Sequence, residues 1–300
     1  MRVAALLPAA TDIVIALGAG DQLVAVTHAC TLPSSLAGIP RVTRSRVSAA
    51  GASGIDTQVS DLSLAGAPLF ELDAALLSAQ RPEIVLTQSV CEVCAVREEE
   101  ARAVASRMHP PPTVATLGAN SVEGVFNDIV TVGEALGIPD EAEELVAGLK
   151  SRIGLVHRSL KTSQAPRPRV TVLEWTGPLF SAGHWVPDMV HRAGGHELIG
   201  QSGQASRRIG ADEIFGGNPE VVVIAPCGYG LDDTVREAKG LAANEAWSWL
   251  RSIPLWALDA NRLTSSPGPG VVHGIEVLAR ILHPLLFGEP SPRDAIQIVR

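Results

Sequence analysis

Short β-branched and leucine-rich runs alternate with helical patterns along most of this chain. Apolar runs of strand length fall at Val3–Leu7, Leu23–Val26, Ile84–Thr87 and Thr113–Thr116, then at Arg169–Leu173, Val221–Ala225 and Leu255–Leu258. Apolar positions at three- and four-residue spacing predict helices over Thr11–Leu17, Asp73–Ala79, Val96–Arg107, Ser121–Leu136, Asp140–Leu160, Trp185–Ala193, Ala211–Gly216, Leu231–Lys239, Asn244–Leu250 and Val271–Leu282. Such alternation predicts an α/β fold with mostly parallel sheets. The two strand sets are separated by a helical stretch interrupted at Gly137-Ile-Pro139. Beyond that break, Ala142, Leu145, Val146, Leu149, Ile153, Val156 and Leu160 mark one amphipathic helix. At about 1.5 Å per residue it spans about 30 Å, which suits a rigid connector. Gln164-Ala-Pro-Arg-Pro168 breaks helix and opens the second strand set. The expected organisation is an N-terminal α/β lobe over 1–120, a helical connector over 121–164 and a C-terminal α/β lobe over 165–300, both lobes Rossmann-like. No repeat of solenoid period is present.

Composition refines this picture. The 300 residues are 46% hydrophobic, enough for a sizeable core. No run reaches the roughly 18 apolar residues of a membrane span, so membrane insertion is not expected. The net charge is −8 with the acids dispersed, and no basic stripe marks a nucleic-acid surface. Met1-Arg2 runs directly into the first strand, without the apolar stretch and small-residue cleavage site of a secretory signal. The expectation is therefore a cytoplasmic protein, or a periplasmic or extracellular one whose leader has been removed.

The unusual residues sit at strand ends. The segment from Leu173 to Val190 gathers Trp175, Phe180, His184 and Trp185 on backbone punctuated by Gly177, Pro178, Gly183 and Pro187, which reads as a loop. Rings there either form a site or cap a nearby core. Val24-Ala-Val26 leads into Thr27-His-Ala-Cys30, Ile84-Val-Leu-Thr87 into Gln88-Ser-Val-Cys91-Glu-Val-Cys94, and Val221-Val-Val-Ile-Ala225 into Pro226-Cys-Gly-Tyr-Gly230. Carboxyl ends of parallel strands are where such sheets bind ligands, and pockets favour the interface of two lobes. All 4 cysteines and the 1 tyrosine, Tyr229, lie on that predicted edge.

Cys91-x-x-Cys94 admits three readings: a redox pair, a metal site completed by His28, Cys30 or Cys227, or a lining of the cleft. A second pair at zinc-ribbon spacing is absent. So are a nucleophile elbow, a dinucleotide fingerprint and a phosphate loop with its lysine. Ser265-Ser-Pro-Gly-Pro-Gly270 reads as a tight turn before a helix, since its prolines remove amide donors. No catalytic set is expected. His109, His157, His191, His196 and His283 fall on helices or loop ends with no specific role.

Several segments together resemble the cobalamin-binding proteins of the class III substrate-binding fold, relatives of the iron–siderophore and cobalamin receptors of ABC importers. They are Leu6-Leu-Pro-Ala-Ala-Thr-Asp-Ile-Val14 with Ala16-Leu-Gly18, Val26-Thr-His-Ala-Cys30, Leu86 to Ala95, Leu173 to Val190, Ala225-Pro-Cys-Gly228, Pro267-Gly-Pro269 and Ile281-Leu-His-Pro284. The resemblance spans about residues 2–285. It implies two lobes joined by one long helix and a corrinoid, cobalamin or a relative, held without catalysis in the cleft between them. Carried over by motif, the binding residues are His28, Cys30, Cys91, Cys94, Trp175, Phe180, His184, Trp185, Cys227 and Tyr229. The competing readings are a zinc- or thiol-dependent enzyme or sensor built on the Cys/His cluster, and a receptor for haem or another metal chelate.

The chain departs from the family's pattern in places. Ala29 stands where an acid is usual, and Leu263-Thr-Ser-Ser266 replaces an aromatic-Asn stretch. Importer receptors tend to carry a permease-docking glutamate on each lobe, and the matching positions here are Ala75 and Asp212, which weakens the case for an ABC importer permease as partner. His28 and His184 are the candidates for an axial ligand of cobalt; one of them is expected to approach its upper face, with His184 favoured for its tryptophan neighbour.

Overall fold

A computed structural model describes residues 1–90 and 95–299. The chain divides into two compact units. The first comprises Met1–Ala119 with Glu123–Ala147, and the second Asn120–Val122 with Gly148–Arg300. The boundary falls inside the long helix Pro139–Thr162. That helix opens with proline, has Asp140 and Glu141 in its first turn and Lys161 in its last, a charge arrangement that complements its dipole. Ala142, Leu149, Ile153 and Val156 are its buried stripe.

The first unit is built on a four-stranded parallel sheet. In chain order its strands are β1 (Val3–Ala5), β2 (Leu23–Val26), then β3 (Thr43–Ser45) and β4 (Phe70–Leu72) of a separate antiparallel pair, β5 (Ile84–Gln88) and β6 (Thr113–Leu117). The parallel order is β2-β1-β5-β6, so β1 and β5 are central. All five residues of β5 are buried, as an interior parallel strand requires. Ala4, Leu6, Ala25, Val42, Leu77 and Val85 pack as one core with Ala101 and Met108. Pro8 stops β1 short of its predicted end and opens helix Pro8–Ala16.

The second unit holds a mixed sheet of β7 (Arg169–Thr176), β8 (Leu179–Ser181), β9 (His196–Glu197), β10 (Val221–Ile224), β11 (Leu255–Leu258) and β12 (Ala295–Val299). Its order is β12-β11-β10-β7-β8, with β9 beside the start of β7. β7, β10 and β11 are parallel, whereas β8 and β12 are antiparallel edges. Leu173, Val222, Ile224, Leu255 and Ala257 form the core with Trp247 and Leu250. Trp175, Trp185, Trp247, Trp249 and Trp256, the chain's 5 tryptophans, belong to this unit, as does Tyr229.

Two sequence expectations are revised by the strands. β7 does not end at Leu173 but runs on to Thr176, and Gly177-Pro178 turns it into β8. The Trp/His segment thus begins as a hairpin rather than a loop, with Trp175 opposite Phe180. Helix Ala52–Leu64 has no counterpart in the pattern because only Ala52 of it is buried. Among the described residues, no helix is long and apolar enough to cross a membrane.

Candidate functional site

In the second unit the residues of interest gather beyond the carboxyl ends of β7 and β10. The Trp175 ring meets Tyr229 edge-on, with centroids 5.3 Å apart and planes at 70°. Phe180 faces Trp175 across the hairpin, and the Arg208 guanidinium lies 5.7 Å from its centroid. Trp175, Phe180 and Tyr229 are all half-buried. The loop carrying Tyr229 is fixed from two sides. Gly228 N donates to Ser265 Oγ at 2.8 Å, and Asn261 N donates to the Tyr229 carbonyl at 2.8 Å. Cys227 is exposed on this loop and its N–H donates to the Glu174 carbonyl.

His184 follows β8 with φ of +52°, a left-handed conformation uncommon outside glycine. Two backbone bonds hold it there: His184 N donates to Gln204 O at 2.6 Å, and Gly203 N donates to His184 O at 2.8 Å. Its ring stacks on Trp185, 5.7 Å between centroids and 29° between planes. Burial lowers the basicity of this imidazole, so it is neutral at neutral pH. The Trp185 Nε1–H donates to the buried Thr264 carbonyl at 2.8 Å. Gly183 has no room for a side chain, because a Cβ would stand 2.2 Å from Ser206 N.

Glu174, next to Trp175 in β7, is a residue the sequence pattern did not single out. Its carboxylate accepts from Gly183 N at 3.0 Å and is hydrogen-bonded to Ser206. Protein closes around it densely enough to push its pKa up to about 8, and the neighbouring Cys227 and Glu197 add to the rise. Glu197 is likewise pushed up to about 7 by burial, against the backbone N–H groups of Val172, Ile199 and Gly200 that bond it.

In the first unit the corresponding edge is the end of β2. His28 is half-buried, and its Nδ1 lies 2.8 Å from Thr43 Oγ1. Thr43 Oγ1 also accepts from His28 N at 3.0 Å and sits 2.8 Å from Thr27 Oγ1. Arg41 Nη1 donates to the carbonyls of Thr27, His28 and Cys30 at 3.1, 2.9 and 2.9 Å. Phe70 of β4 flanks the imidazole at 5.5 Å between centroids. Burial, with Arg41 adding, lowers the basicity of His28. Cys30 is buried; its Sγ lies 3.1 Å from Thr11 Oγ1, and burial raises its pKa. Cys91 and Cys94 lie outside the described residues. Among the described residues, no group of three His, Cys, Asp or Glu side chains is placed to hold a metal ion.

Half-buried aromatic rings at the ends of strands in an α/β framework suit the binding of a small molecule. The sequence profile of the periplasmic binding protein family matches residues 75–253, and the chain belongs to this family. It is accordingly a substrate-binding protein of the ABC-transporter type, not an enzyme, with the two-lobe α/β fold of that class. A similar curated protein is the uncharacterized ABC transporter substrate-binding lipoprotein YvrC of Bacillus subtilis (strain 168), 23% identical over 96% of this chain and 82% of that protein. A periplasmic heme-binding protein from Pseudomonas aeruginosa superposes with a TM-score of 0.72 at 22% identity, covering 99% of this chain and 97% of that one. The periplasmic vitamin B12-binding protein BtuF of Vibrio cholerae gives 0.65 at 16% identity, covering 94% and 96%.

These relatives correct one expectation. A cytoplasmic location was expected from the lack of a visible leader, but the homologues are periplasmic proteins and a lipoprotein. The residues at which this sequence begins carry no information about its compartment.

Proposed function

We propose that this protein binds a flat metal tetrapyrrole, a corrinoid such as cobalamin, for an ABC importer. The observation that carries the reading is the cluster of half-buried rings beyond β7 and β10: Trp175, Phe180 and Tyr229, with His184 and Trp185 beside them. A macrocycle offers broad apolar faces to such rings and a rim of polar groups to the surrounding loops. Cys227, exposed on the same loop as Tyr229, is a further proposed contact. Cys30 is read as packing, since its thiol is buried against Thr11. Haem is the second reading, favoured by the heme-binding proteins among the similar folds. On the importer side, Asp212 is exposed at the start of helix Ala211–Gly216, available to a permease.

Titration of the purified protein with aquocobalamin, cyanocobalamin and hemin, followed by absorbance and calorimetry, tests the reading. Saturable one-to-one binding of a cobalamin at micromolar or lower Kd is expected. Tight binding of hemin with none of cobalamin would transfer the assignment to haem. Binding of neither would end the tetrapyrrole reading.

A further inference from the structure

We propose that Glu174 is the positioning residue of the ring cluster: it ties the β7–β8 hairpin, the His184–Trp185 turn and the loop of Tyr229 into the one arrangement that binds cargo. The consequence for cargo rests on the tetrapyrrole reading above, whereas the tie itself lies wholly within the second unit. Glu174 is the extra residue of a β-bulge. Leu173 pairs with Ser181 and Trp175 with Phe180, so β7 advances by two residues where β8 advances by one. A bulge bends its strand and re-aims the side chains beside it, here next to Trp175.

From the bulge Glu174 reaches each of the other segments. Its carboxyl accepts from Gly183 N at 3.0 Å, directly before His184 and Trp185. It is also hydrogen-bonded to Ser206, in the stretch whose Gly203 N and Gln204 O hold the backbone of His184. Its own carbonyl accepts from Cys227 N at 3.2 Å, at the start of the loop that carries Tyr229. Gly183 lets the turn and Ser206 meet at this carboxyl, since any Cβ there would stand 2.2 Å from Ser206 N.

The groups around the carboxyl make this tie sensitive to pH. Its titratable neighbours are Glu197 of β9 and Cys227, and both are acids. Ser206 is uncharged, and the imidazole of His184 is neutral. The cations of the adjoining stretch are engaged elsewhere, Arg207 with Glu213 and Arg208 over Phe180. Ionisation strengthens the bond from Gly183 N. The rise of the pKa to about 8 means that desolvation and like charge outweigh that gain. The neutral acid therefore fits the tied arrangement, and the carboxylate works against it. The fraction of protein competent to bind cargo follows the protonated fraction of Glu174.

Titration of the full-length protein with cyanocobalamin tests this, because that ligand does not itself titrate over the range used, about pH 7 to 9. Wild-type affinity should fall about tenfold across that range, as for a site competent only while a group of pKa about 8 is protonated. Glu174→Gln keeps an acceptor for Gly183 N without the charge. It should match the wild type at the lower pH and hold that affinity at the higher. Glu174→Ala should bind at least tenfold more weakly at both. Glu197→Gln and Cys227→Ser should retain the pH dependence, which separates Glu174 from its acidic neighbours. Tryptophan emission of the unliganded protein gives a readout independent of cargo: it should change over the same range in the wild type and stay constant in Glu174→Gln. Circular dichroism checks that each variant is folded at both ends of the range. The same pH dependence in the wild type and Glu174→Gln, or undiminished binding by Glu174→Ala, would overturn the proposal. If the wild type does not bind cyanocobalamin, that result counts against the corrinoid reading, and emission decides the tie alone: a response identical in the wild type and Glu174→Gln refutes it.

Discussion

Glu174 and Trp185 carry consequences that their neighbours decide. A carboxyl raised from 4.5 to about 8 keeps its proton longer in the folded than in the unfolded chain. Between those values the folded state binds more protons, so stability falls as pH rises and levels off above the folded pKa. Between pH 7 and 8.5 the unfolding free energy should drop by about 1 kcal/mol, and Glu174→Gln should remove most of that slope in urea titrations at stepped pH. Trp185→Phe should cost about 1–2 kcal/mol of stability, because the buried Thr264 carbonyl loses its donor. Trp175→Ala should instead weaken tetrapyrrole binding by about 1–3 kcal/mol in calorimetry and leave the melting temperature within a few degrees. The sequence could not separate these two tryptophans, since both sit among glycines and prolines; the bond to Thr264, 79 positions away, divides them. Thr43 and Arg41 were equally hidden, being 15 and 13 residues from His28 and of unremarkable type. His273 was overlooked altogether, though it reaches Asp294 at 3.1 Å and Glu276 at 3.5 Å.

Among the elements, the central parallel strands were legible because they are buried on both faces and so carry continuous apolar runs: Ile84-Val-Leu86 in β5 and Val221–Ile224 in β10. Edges were not. β8 is three residues beside a Gly-Pro turn, and β12 is an antiparallel strand with Gln297 in its middle. Helix Gly270–Leu282 was legible from its period, and its packing makes a further prediction. A Cβ on Gly274 would lie 2.5 Å from Met189 Cε and 2.6 Å from the Leu263 carbonyl. Met189 belongs to helix Val186–Arg192, which follows directly on Trp185. Gly274→Ala should therefore cost about 1–3 kcal/mol, measured by chemical denaturation. If the helices part without penalty, the contact is softer than its spacing indicates.

For the molecule as a whole, family membership followed from the sequence motifs, and the fold from the alternation of strands and helices; the cargo did not, because flat aromatic walls suit several macrocycles. Cargo binding should stabilise the folded chain by mass action. At a free ligand concentration of about 100 times Kd the gain is about 2.7 kcal/mol, visible as a rise in melting temperature that grows with ligand concentration. A cobalamin or haem that leaves the melting temperature unmoved at such an excess is not the cargo.

The confinement of every tryptophan to the second unit makes the protein its own two-channel instrument. Indole emission reports on Gly148–Arg300 alone, while far-ultraviolet dichroism sees the helices of both units. Denaturation followed by both signals at once will show whether the two units melt together or apart, with no label attached. Trp175 and Trp185 stand at the proposed contact surface, whereas Trp247 and Trp256 are buried in the core. A macrocycle that absorbs where indole emits should dim the first pair more than the second, so the fraction of emission lost at saturation measures how many indoles the cargo approaches.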